Sequence, residues 1–252
     1  MLEQAQGVQR SHEGGFSRLG TVSHTLDGTE PVDVLDLPGR LIVLEGTDGA
    51  GRSTHIALLR EWLEIRGFAV ALTALKRSRL AGDGLQRAKE GHTLGRTSMD
   101  LFYATDFADR LENFVLPALR AGFVVLTDRY TYSTIARAIV RGADPAWIRD
   151  VYRFAPTPHA VFYLKVDLHH LTPRILASRG FDYWESGMDF QEESDIYQSF
   201  MRYQSRLLGV FQTLAEEYKM QVIDANESGT AVFKALREGV ERVISTMEGA
   251  RL

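Results

Sequence analysis

The sequence predicts an α/β protein built on a parallel sheet, and three observations lead there. Short, nearly all-apolar runs recur along the chain, among them Leu41–Leu44, Phe123–Thr127 and Val161–Val166. Blocks with helical spacing of apolar residues separate them. A glycine-rich turn joins the first run to the first helical block. Strands covered on both faces lose the polar–apolar alternation of half-buried strands, and strands alternating with helices are the mark of a parallel sheet. Ligands in such sheets bind beyond the carboxyl ends of the strands. Three strand ends carry chemistry here: Glu45-Gly46, Asp128-Arg129 and Lys76-Arg77.

In chain order, Leu41–Leu44 predicts the first strand. His55–Arg66 predicts a helix, with Ile56, Leu59 and Leu63 on one face. Phe68–Leu72 predicts the second strand, and residues 76–96 are basic, glycine-rich and unassigned. Ser98–Arg120 predicts one long helix, from Leu101, Ala104, Ala108, Leu111 and Val115. Phe123–Thr127 is the third strand, followed by helices over Ser133–Arg141 and Pro145–Phe154. Val161–Val166 is the fourth strand and Leu171–Ser178 a helix. Residues 179–195 form a loop rich in aromatics and acids. Ile196–Tyr218 is a long helix, Val222–Asp224 the fifth strand, and 230–247 a closing helix.

The 252 residues suffice for one sizeable α/β domain or two small ones. Residues 1–37 carry two basic and six acidic residues, which leaves the remainder balanced at 27 and 27. They show no sustained period and read as a poorly ordered acidic extension, with Val32–Asp36 able to pack on a domain spanning 38–252. A net charge of -4 excludes a strongly basic binder of nucleic-acid polymers. The absence of cysteine excludes disulfides, thiolate zinc sites and a cysteine nucleophile. The apolar runs are too short for a membrane span, and no secretory leader is legible, so the expected compartment is the cytoplasm.

Gly46-Thr47-Asp48-Gly49-Ala50-Gly51-Arg52-Ser53-Thr54 lies between the first strand and the first helix, where a phosphate-binding loop belongs. Its backbone N–H groups would converge on phosphate oxygens, and the helix N-terminus adds a favourable dipole. Ser53 is placed for Mg²⁺ and Thr54 for a phosphate. Arg52 stands where the strict motif has lysine; it keeps the charge but is longer and forked. Asp128 ends the third strand and can hold magnesium through water, while Arg129 can neutralise charge passing between two phosphates. Lys76–Arg79 reads equally as an acceptor-phosphate site or an exposed turn. Tyr183 and Trp184 either stack on a base or cover a hinge.

LEGTDGAGRST, LFYATDFADRLENFVLPALRAG, DRYTYST and the ESGMDF stretch, in this order, resemble the thymidylate kinase family of nucleoside monophosphate kinases from Arg40 to about residue 248. The resemblance implies the P-loop NTPase fold, with a five-stranded parallel sheet ordered 2-3-1-4-5 and a mobile lid at about 179–195. It implies magnesium-dependent transfer of the ATP γ-phosphoryl group to dTMP, giving dTDP, and a homodimer. By position in the motifs, the resemblance implies that Asp48 lies near the acceptor sugar and the magnesium, Tyr103 stacks on the acceptor base, Arg129 binds the acceptor phosphate, and Ser133 and Thr134 belong to the acceptor site. Arg174 and Arg179 face the donor. Phe107 stands where the family has the arginine that reads the base and falls in the acceptor site. Arg137-Ala138 replaces a Tyr-Gln pair, and the family's Arg-Glu-Pro after the second strand is absent. Two other readings stay open: a kinase for another monophosphate such as dUMP or UMP, and a non-catalytic nucleotide-binding sensor or subunit.

Overall fold

The computed structural model describes residues 33–192 and 195–247. The sheet has five parallel strands in the order β2-β3-β1-β4-β5. They are β1 (Arg40–Glu45), β2 (Val70–Ala74), β3 (Val124–Asp128), β4 (Ala160–Lys165) and β5 (Gln221–Asp224). The continuous apolar runs are accounted for by burial on both faces. Leu41, Val43, Val125, Val161 and Tyr163 point into one core, and Ile42, Leu44, Val124, Leu126, Phe162 and Leu164 into the other. Side chains alternate along a strand, so each face needs its own apolar set.

The helices are α1 (Arg52–Ile65), α2 (Gly82–Gly91), α3 (Arg96–Arg110), α4 (Leu116–Arg120), α5 (Thr131–Val140), α6 (Pro145–Val151), α7 (Leu168–Ser178), α8 (Ile196–Glu217) and α9 (Gly229–Ile244). Helix α2 lies inside the unassigned stretch. The long helix expected over 98–120 is continuous in path but contains a π-helical turn, Leu111–Val115, between α3 and α4. The Leu116 N–H reaches back to the Leu111 carbonyl. Pro117 follows, with no N–H for an α-helical bond and a ring that crowds the preceding turn, which favours the wider winding. Strand β2 begins two residues later than expected. Phe68 instead closes the α1 terminus, its N–H donating to the Leu63 carbonyl at 3.1 Å past Gly67.

Residues 1–32 of the acidic extension lie outside the described residues. Its end is packed. Val34–Asp36 is a short 3₁₀ turn capped by Asp33, and the fully buried Val34 joins the core that also holds Leu41 and Val43.

Candidate functional site

The strand ends of β1 and β3 and the start of α1 meet at one place. The β1–α1 loop is a chain of left-handed turns. Gly46 has φ +143° and a Cβ there would lie 2.8 Å from the Leu164 carbonyl; Gly51 has φ +90° and starts α1. No side chain caps α1, so its first N–H groups remain open to an anion. Ala50 and Thr47 are buried, and the Thr47 hydroxyl has no partner among the described residues. Thr54 is exposed on the first turn of α1.

Arg52 is not extended outward. Its Nε donates to Asp128 Oδ1 at 2.6 Å, and its Nη1 donates to the Gly46 carbonyl at 2.6 Å and to the Thr47 carbonyl. The guanidinium thus clamps the loop onto β3 while still edging the cavity. Ser53 Oγ donates to Asp128 Oδ2 at 2.8 Å. Burial works to raise the Asp128 carboxyl, but Arg52 and Arg129 overcome it and hold it below its ordinary range.

Arg129 sits just past β3 with φ +76°, which turns its side chain back under the loop. Its Nη1 donates to the Gly46 carbonyl and to Ser133 Oγ, each at 3.0 Å, and its Nη2 to Asp48. Asp48 also accepts from Arg137 Nη2 at 2.5 Å and lies 3.7 Å from Arg52 and 3.9 Å from Arg179. Burial opposes ionisation of Asp48, yet Arg129, Arg137, Arg52 and Arg179 together drive its carboxyl far below the usual range. Burial, then Arg137 and Arg52, lowers Arg129 to about 10.

Below this cluster Glu45 is fully buried at the end of β1. It accepts from the Tyr130 N–H at 2.8 Å, the Ser133 N–H at 3.2 Å and the Ser133 hydroxyl. Burial raises its carboxyl despite Ser133 and Arg129. Glu45 ties the β1 end to the α5 start and so sets the pose of Arg129. The buried acid just before the glycine loop was the signal for it in the sequence.

A cavity of ≈ 820 Å³ opens from this point. Arg52, Ser53 and Asp128 edge it on the loop side, and Tyr103, Thr134 and Arg137 on the α3–α5 side; Arg179, Tyr183 and Trp184 cover it. Tyr183 and Trp184 meet His92 from the α2–α3 loop, Trp184 stacked on it at 5.1 Å and Tyr183 edge-on at 4.6 Å. Lys76 and Arg77 also line the cavity. Their loop is held by the fully buried Asp106, which accepts from the N–H groups of Lys76 and Ser78 at 3.0 Å each.

Three expected site residues lie elsewhere. Phe107 is 2% exposed and packs edge-on against Tyr130 at 4.8 Å and Tyr152 at 5.9 Å; it belongs to the core and not to the cavity wall. The reason is its place one helical turn beyond Tyr103, where α3 meets the aromatic cluster of Tyr130, Tyr152 and Phe154 that flanks α5 and α6. Ser133 is fully buried and committed to Glu45 and Arg129. Arg174 donates to the Ala225 carbonyl at 2.9 Å, beyond β5 and outside the cavity. Conversely, spacing alone did not single out Arg137, Lys89 or Glu185 as cavity residues; α5, α2 and the lid stretch bring them there.

Comparison with known proteins agrees with this geometry. The family model described as thymidylate kinase matches residues 44–236. A protein named probable thymidylate kinase 2 from Saccharolobus solfataricus is 38% identical over 190 residues, covering 75% of this chain and 89% of its own. A thymidylate kinase from Clavibacter sepedonicus is 36% identical over 197 residues, covering 75% and 88%. A probable thymidylate kinase from Thermococcus kodakarensis is 39% identical over 144 residues, covering 53% and 70%. With the sheet order, the glycine loop and the Ser53–Asp128 pair in place, these matches establish that the chain belongs to the thymidylate kinase family.

Proposed function

We propose that the chain transfers the γ-phosphoryl group of ATP to dTMP, giving dTDP and ADP. One observation carries the reading: a single cavity runs from the α1 N-terminus and the Ser53–Asp128 pair to the wall formed by Tyr103 and Thr134. Two phosphate-bearing ligands can meet end to end inside it. Phosphoryl transfer asks mainly for such positioning and for neutralised charge.

The loop N–H groups and the open α1 terminus hold the donor phosphates. Ser53 Oγ and the Asp128 carboxylate are hard oxygen donors side by side and fit magnesium. When bound, magnesium would neutralise charge on the β- and γ-phosphates. Arg52 keeps the loop closed on Asp128 and adds positive charge at its edge. The acceptor phosphate oxygen attacks the γ-phosphorus as the bond to the β–γ bridging oxygen breaks, and ADP leaves with that electron pair.

Thr134 supports a thymine or uracil base. Its hydroxyl donates to the Thr131 carbonyl at 2.7 Å, so toward the cavity it can only accept. Thymine and uracil present an N3–H donor, whereas the cytosine N3 is an acceptor. Tyr103 supplies a ring for the base. A homodimer in the cytoplasm completes the reading. ADP release measured over dTMP, dUMP, UMP, CMP, AMP and GMP tests it: dTMP should give the highest kcat/KM. A purine monophosphate as best acceptor, or ADP release at background with all six, would sink it.

A further inference from the structure

The cavity carries more positive charge than its carboxylates pair. Arg52, Arg129 and Arg137 share Asp48, Arg179 pairs with Glu185 at 2.5 Å, and Arg141 pairs with Asp189 at 2.8 Å. Lys89, on the α2 wall, is different. Among the described residues its ammonium forms no ion pair and no hydrogen bond, and lies over the Trp184 ring, 5.4 Å from its centroid. Burial, and then the like charges of Arg137 and Lys76, pull the Lys89 ammonium down to about 8. Asp182 and Glu185 act the other way without pairing with it.

Arg137 faces the same cavity from α5. Its one hydrogen bond among the described residues is from Nη2 to Asp48, and its side chain stays 22% exposed. The Nε and Nη1 donors are therefore free. Arg129, the residue whose motif position points to the acceptor phosphate, is far more committed: Gly46, Ser133 and Asp48 take its terminal nitrogens, and its side chain is 8% exposed. Arg141 is similarly spent on Asp189, Tyr203 and the Trp184 carbonyl.

A partly buried ammonium with no carboxylate partner is costly unless an anion meets it. A phosphomonoester dianion supplies the charge and several acceptor oxygens. The ammonium can meet it as a point charge and the guanidinium as a fork. Arg137 lies three residues from Thr134 on α5, hence on the same helical face, and both line the cavity, with Arg137 reaching Asp48 of the glycine loop.

We propose that Lys89 and Arg137 form the subsite that holds the phosphate of the acceptor monophosphate, beside Asp48 of the glycine loop, where it can meet the donor phosphates. This rests on the kinase reading above and names positioning residues for it. Neither side chain belongs to the motif that carries the loop, and each comes from a different element.

The test is the affinity of dTMP and of thymidine, by calorimetry, for the full chain and for Lys89→Met, Lys89→Arg and Arg137→Gln, with KM for ATP measured alongside. Thymidine lacks the phosphate, so a general loss of cavity structure would weaken both ligands together. Lys89→Met and Arg137→Gln should each lower dTMP affinity about tenfold or more while thymidine affinity and the ATP KM stay within about twofold. Lys89→Arg should restore most of the loss. If the unaltered protein prefers dTMP to thymidine and both variants keep that ratio, the subsite is overturned and the kinase reading stands. If the ATP KM rises instead, the phosphate held there is the donor's, and the proposal fails. If the unaltered protein binds dTMP no more tightly than thymidine, the kinase reading falls with it.

Discussion

Replacing Arg52 separates a phosphate-loop cation from a structural clamp, the first the duty proposed above and the second the one its contacts show. Its three hydrogen bonds run to Asp128, the Gly46 carbonyl and the Thr47 carbonyl, and the side chain is 7% exposed. Arg52→Ala leaves two loop carbonyls without this donor and takes one of the cations from Asp128, which keeps Ser53 and the charge of Arg129. Breaking a buried charged pair costs about 3 kcal/mol or more, which lowers Tm by roughly 6–12 °C in a domain of this length. The lost charge at the reacting phosphates should lower kcat about a hundredfold or more. Arg52→Lys keeps the charge, but one ammonium cannot span the carboxylate and both carbonyls as the fork does. It should fall between, with a Tm loss about half as large and kcat down about tenfold. Differential scanning calorimetry and steady-state ADP release on the three proteins read both effects. A lysine variant as stable as the parent and at least as fast would refute the clamp. An alanine variant with unchanged Tm would do the same.

Phe107→Arg should destabilise the fold by about 3 kcal/mol or more, because the new charge would be buried among Tyr130, Tyr152 and Phe154. A well-folded variant with sharper dTMP selection would return position 107 to the acceptor site. His159 accepts from the Leu41 N–H through Nδ1 at 3.0 Å, and burial, then Arg40, lowers it to about 4. The unfolded chain therefore binds a proton first as pH falls. The stability it contributes is present above pH ~6.5 and lost progressively toward pH 4. Urea midpoints at pH 7 and pH 5 should fall less for His159→Gln than for the parent; equal shifts would refute this. Two helix glycines should respond with opposite signs. Gly209→Ala meets nothing within 4 Å and should stabilise by about 1 kcal/mol, whereas a Cβ on Gly239 would lie 2.2 Å from the Phe162 ring and should cost about 1–3 kcal/mol. Thermal melts that rank the two alike would contradict the α9–β4 packing.

The architecture was legible because its signals are local. Uninterrupted apolar runs such as Leu41–Leu44 require cover on both faces, and a glycine loop between strand and helix needs no distant residue to be recognised. The same holds for Ser53 and Asp128, each fixed by its place at an element end, which the sheet then brings to 2.8 Å. Where local signals were weak, the reading stopped. Residues 76–96 hide α2, whose start is made by the β2–α2 loop folding onto the fully buried Asp106 and the partly exposed Asp109, a tertiary contact about thirty residues away. The π turn at Leu111–Val115 keeps helical spacing closely enough to pass for α-helix.

The division within the site has the same cause. Sequence by itself determined which residues stand at strand ends and in the glycine loop, and so the phosphate chemistry of the chain. Only tertiary structure decided what each side chain is free to do. Phe107 and Tyr103 lie on one helix, four residues apart, yet one fills the core and the other faces the cavity. Arg129 occupies a motif position but is tied down by Gly46, Ser133 and Asp48, while Arg137, a departure from the family's motif, and Lys89, outside any motif, keep open donors. Spacing along a chain sets which face of an element a residue occupies. The availability of a charge depends on the partners that other elements bring within hydrogen-bond reach.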